Sequence, residues 1–160
     1  MNYKVLGVLA SLLLTMASCS SPEEEIRSEF DAFSSSNSTL LYEYKDSSSS
    51  ATGDCAGMFI DRWYGSEVSY SDIVKMYEDQ LPKRGWTLWP EDVVRIWRKQ
   101  TQAGLFSWHI EAFAGESTTD PQGEHELPDS FLREAANYST VYVISVTYKG
   151  NFAAKRCFGK

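Results

Sequence analysis

The sequence predicts an α+β fold: a two-layer sandwich of one mainly antiparallel sheet, five to six strands wide, with helices on one face. Two observations carry this expectation. Hydrophobic periodicity alternates between helical and strand patterns in the order α-β-β-α-β-β-β-α-β, and one strongly amphipathic helix cannot cover both faces of such a sheet.

The first helix is expected just after Ser21. A capping hydroxyl, Pro22 at the first helical position and acids at 23 and 24 mark its start, and Ile26, Phe30 and Phe33 fall on one face. A tether is the alternative for residues 19–37. Serine-rich stretches at 34–36 and 47–50 bracket a short strand over 39–45 with Leu41 and Tyr42 as anchors. Residues 55–64 alternate Met58, Ile60, Arg62 and Tyr64 with Phe59, Asp61 and Trp63, the period of a strand, and Gly65 is expected to close it.

The clearest helix spans 71–81, with Ile73, Met76, Tyr77, Gln80 and Leu81 along one stripe. Ser69 or Ser71 caps its start, and Pro82 and Gly85 end it. Strands over 86–89, 93–99 and 105–113, joined by short turns, form a three-stranded meander. A polar loop follows over 115–128, then two helical turns over 129–136. The last strand, over 139–148, is rich in β-branched and aromatic residues.

The N-terminus has a different logic. Lys4 precedes an unbroken run of apolar and small residues from Val5 to Leu14, about half of the roughly 20 residues that a transmembrane helix requires. The segment Leu14-Thr15-Met16-Ala17-Ser18-Cys19 resembles the lipobox of bacterial lipoproteins, with Met16 where leucine is usual. The resemblance implies that residues 1–18 are a signal peptide and that the Cys19 thiol takes diacylglycerol, a thioether no other side chain forms. Acyl chains worth about 0.8 kcal/mol per buried methylene then hold the chain on the membrane. Ser20, in place of aspartate, implies the outer membrane where the cell has one. The expected organisation is signal peptide 1–18, lipidated N-terminus with helix or tether 19–37, and one α+β domain over 38–160. Strand, helix and Gly85-Trp86 leading into the meander, over about 55–99, resemble small exported lipoproteins of unknown function, which implies no activity.

Cleavage after Ser18 leaves 142 of the 160 residues, enough for one domain with a continuous core. It removes only Lys4 among charged residues, so the formal charge moves from −7 to −8, and no basic stripe exists to neutralise a phosphate backbone. No nucleic-acid partner is expected. With Cys19 lipidated, Cys55 and Cys157 remain, and an oxidising compartment lets them form a disulfide; two free thiols are the alternative.

Catalytic motifs are scarce. Only His109 and His125 are available; His125 sits in an acidic loop with Asp120, Glu124 and Glu126 but without metal-binding spacing, and no cofactor motif occurs. His109 and Glu111 share a strand face and could serve as an acid–base pair. Aromatic content is the remaining signal: five Trp, nine Tyr and eight Phe, which a small core could use simply as bulk and which would form a binding surface where strand alternation puts them on an uncovered face. Assigning Phe106, Trp108, Ile110, Val94 and Ile96 to the helix-covered face leaves Trp63, Arg95, Trp97, His109 and Glu111 on the opposite one, beside Asp61, Lys99 and Ser107. That uncovered face is expected to bind an envelope protein, peptide or glycan. The alternative is an envelope hydrolase using His109 or His125.

Overall fold

The computed structural model describes residues 21–33, 37–48, 57–89, 95–101, 104–115, 118–119 and 125–150. Its helices are α1 (Pro22–Ala32), α2 (Tyr70–Gln80) and α3 (Asp129–Ala135). Its strands are β1 (Ser38–Ser48), β2 (Gly57–Ser66), β3 (Thr87–Leu88), β4 (Ile96–Gln100), β5 (Gly104–Ala112) and β6 (Thr140–Gly150). The six strands form one open antiparallel sheet in the order β1-β2-β6-β5-β4-β3, an α+β sandwich. Among the described residues no helix is long and apolar enough to cross a membrane.

Local chemistry explains the helix ends. Ser21 and Glu24 form a capping box: the Glu24 amide donates to Ser21 Oγ (3.2 Å) and the Ser21 amide to Glu24 Oε2 (2.8 Å). The hydroxyl of Ser69 caps α2 by accepting from the Asp72 amide. A 3₁₀ turn, Leu81–Arg84, extends α2 until Gly85 reverses the chain at φ 83°, the left-handed region that glycine enters without a Cβ clash. Gly65, expected to close β2, lies inside it instead. The Tyr138 ring packs so tightly there that a Cβ would sit 2.4 Å from it.

The strand register divides the sheet into two faces. On the first, Ile60, Tyr142, Ile144, Val146, Phe106, Trp108, Ile110 and Trp97 pack against Ile26, Phe30 and Phe33 of α1 and its last turn, and against Ile73, Val74 and Tyr77 of α2. Segment 22–33 is therefore neither a tether nor separate from the domain: Ile26 is fully buried and Phe30 and Phe33 nearly so. On the second face, Trp63 and Val143 pack against Leu127 and against Phe131 and Ala135 of α3. The principal helical layer, α1 and α2, lies on one face as the sequence suggests, and α3 patches part of the other. Cys19, Cys55, Cys157 and Val94 lie outside the described residues.

Candidate functional site

The expected binding face does not assemble. Cross-strand partners share a face, and Trp97 pairs with Trp108 while Lys99 pairs with Phe106. Trp97 and Lys99 thus lie on the helix-covered side, and Ile96, paired with His109, lies on the other, one residue out of the expected phase. The physical reason is size and charge pairing. The Trp97 indole is 1% exposed in the main core, Lys99 Nζ reaches Glu29 Oε1 of α1 (2.5 Å), and Arg95 pairs with Glu78 of α2. Trp63 is on the second face but is fully buried under α3, its ring centroid 6.2 Å from that of Phe131. Neither tryptophan is available to a partner.

Parts of the second face do keep the expected company. One row across the sheet runs Ile96, His109, Ser145, Asp61, Tyr44 on β4, β5, β6, β2 and β1. Asp61 is fully buried and Ser145 nearly so. Burial lowers the pKa of His109 below the ordinary 6.5, more than the Glu111 carboxylate 3.8 Å away raises it, so the ring is neutral at pH 7. Serine, histidine and aspartate here stand in the wrong order for nucleophilic catalysis. A triad needs the imidazole between serine and carboxylate, whereas Ser145 occupies the middle of this row.

His125 is held elsewhere. Its Nε2 lies 2.9 Å from the Tyr44 hydroxyl, and the two rings pack at 4.5 Å. Tyr44 is on β1, three strand spacings from His109 on β5, about 14 Å at the usual separation, so the two histidines do not share a site. Among the described residues no three His, Cys, Asp or Glu side chains converge to hold a metal ion.

A concavity among the described residues lies on the helix-covered side, between α2 and the ends of β4 and β5. Its volume is about 650 Å³, and Tyr70, Ser71, Val74, Lys75, Glu78, Arg95, Ile110 and Glu111 line it. Val74 and Ile110 belong to the core and supply an apolar floor, while Lys75, Arg95, Glu78 and Glu111 place both signs of charge around it. The Tyr70 hydroxyl donates to the Ile110 carbonyl (3.2 Å). Burial, assisted by Glu111, raises its pKa, so it remains a donor at neutral pH.

Arg95 and Glu111, two residues of the expected face, thus meet in this cleft, with His109 beside Glu111. The helix residues were missed by sequence reasoning. Their signal is a second line on α2, Tyr70, Val74 and Glu78 at i, i+4 and i+8, running beside the core stripe. Comparison with protein-family models, with curated proteins and with solved structures finds no match to this chain.

Proposed function

We propose that this chain is an extracytoplasmic bacterial lipoprotein, anchored by lipid on Cys19, whose domain is a non-enzymatic binding module taking its ligand in the cleft between α2 and β4–β5. The anchor rests on the lipobox-like segment ending at Cys19. The binding role rests on one observation, a cleft of about 650 Å³ with an apolar floor and a rim of both charges. That volume lies within the range of ligand sites, and the rim suits a small ligand or peptide end carrying both charges more than a purely apolar one. Ser20 favours the outer membrane as the location in a cell that has one.

The same reading includes a disulfide between Cys55 and Cys157. Gly57 pairs with Lys149, so the strand ends that follow the first cysteine and precede the second lie side by side. A bridge spanning about 100 residues would add roughly 4–5 kcal/mol by the chain-entropy model.

Detergent-solubilised lipoprotein, screened by thermal shift against envelope peptides and glycans, tests the binding role. A ligand is expected that raises the melting temperature of the wild type and binds at least tenfold more weakly to Ser71→Trp, which fills the cleft mouth, and to Arg95→Glu. Ligands that bind all three proteins equally would place the working surface elsewhere.

A further inference from the structure

The sheet ends differently on its two sides. One edge is β3, a strand of two residues. The other is β1, eleven residues long, which among the described residues pairs with β2 alone. Backbone N–H and C=O groups alternate in direction along a strand, so β1 turns a second row of them outward. Beyond the irregularity at Leu40/Tyr42, its register with β2 runs unbroken from Tyr42 to Ser48. A regular stretch of about 20 Å thus lies along the edge, ready to take another strand.

Which strand fits is set by charge. The regular stretch contains Glu43, Lys45 and Asp46. When β1 meets a second β1 antiparallel about a two-fold axis, each residue pairs with the one equally far beyond the axis. An axis at 43, 45 or 46 sets two like charges directly opposite each other, which destabilises a sheet. Axes at 42, 47 or 48 run the pairing into the Leu40/Tyr42 irregularity or off the end of the strand. An axis at Tyr44 places Glu43 opposite Lys45 of the second copy, and Lys45 opposite its Glu43. Both side chains lie on the α1 face, where Arg27 Nη1 is 2.7 Å from Glu43 Oε1 and Lys45 Nζ is 2.9 Å from Glu23 Oε2. Self-pairing extends these contacts into a run of alternating sign: Glu23, Lys45, then Glu43 and Arg27 of the second copy. On the other face Tyr44 packs beside Phe59, ring centroids 5.9 Å apart, and two such tyrosines meet at the axis. We propose that this chain self-associates through β1, joining two six-stranded sheets into one antiparallel sheet across a two-fold axis at Tyr44.

Light scattering of the full-length protein in detergent, corrected for bound detergent, reads the protein mass directly. Wild type at micromolar concentration is expected at twice the chain mass. Lys45→Glu, which sets acids opposite each other on both sides of the axis, is expected to weaken association at least tenfold. It should still unfold as cooperatively as wild type, since the exposed pair it removes contributes little to stability. A photo-crosslinking amino acid at exposed Ser47 of β1 is expected to join two chains, and the same group at exposed Leu88 of β3 to leave them single. Monomeric wild type would overturn the proposal. So would a dimer that Lys45→Glu leaves intact and that crosslinks from 88 rather than 47.

Discussion

The two faces of the sheet are built by different means. On the α1–α2 face a single indole, Trp108, organises the core. Phe30, Phe33, Tyr77 and Trp86 ring it at centroid distances of 5.0–5.8 Å. Ion pairs surround this packing, with Arg62 bonded to Glu43 at 2.7 Å and its guanidinium 4.5 Å above the Phe30 ring. The α3 face is sparser: a smaller cluster about Trp63 under a seven-residue helix, then a polar row through Asp61, Ser145 and His109. Stability is thus concentrated on the first face, and the cleft forms where that face's helix ends against the strands.

The sharpest way to break this contrast is to delete each face's central indole. Trp108→Ala is expected to cost about 3–5 kcal/mol, at the upper end of large-to-small core changes, and Trp63→Ala measurably less because fewer neighbours surround the cavity it leaves. Urea unfolding midpoints of the two variants decide it. Equal losses would mean that the α3 face carries as much of the core as the α1–α2 face.

The same contrast separates what was legible in the sequence from what was not. Element order could be read because Ile73, Tyr77 and Leu81 repeat with helical period and 58–64 with strand period, and the single sheet followed from there being few helices. The phase of β4 was not legible: Ile96 and Trp97 are adjacent apolar residues, and the choice between them is made by Glu29 and Glu78, partners that lie 70 and 17 residues away from Lys99 and Arg95. Placing α3 on the second face was illegible for the same reason, since its Phe131 meets Tyr42 and Trp63 only after the sheet has formed. The cleft joins α2 to Arg95, Ile110 and Glu111 across similar separations, and only one line of helix residues hinted at it.

Helix capping sharpens the comparison at smaller cost. Both helices of the first face begin on serine, whereas α3 begins at Pro128 with no side-chain cap. Ser21→Ala and Ser69→Ala are each expected to lower stability by about 1 kcal/mol, a loss that calorimetry resolves. Pro128→Ala, which removes no capping bond, should cost less than either.

The mildest effect is a pH dependence on the second face. The folded pKa of His109 lies below the ordinary 6.5, so between those values the unfolded chain binds more protons than the folded one and stability rises with pH. Stabilisation by the neutral ring is complete above 6.5 and is lost as pH falls through 6.5 toward the folded value. His109→Gln should flatten this slope in urea midpoints measured between pH 5 and 7. An unchanged slope would assign the dependence to other groups.

The measurement that bears most directly on the proposal of a tethered binding domain is the mass of the N-terminal peptide from membrane-extracted protein. The proposal predicts a chain that begins at Cys19 and carries diacylglycerol on its sulfur. A chain that retains residues 1–18, or begins with an unmodified Cys19, would contradict it.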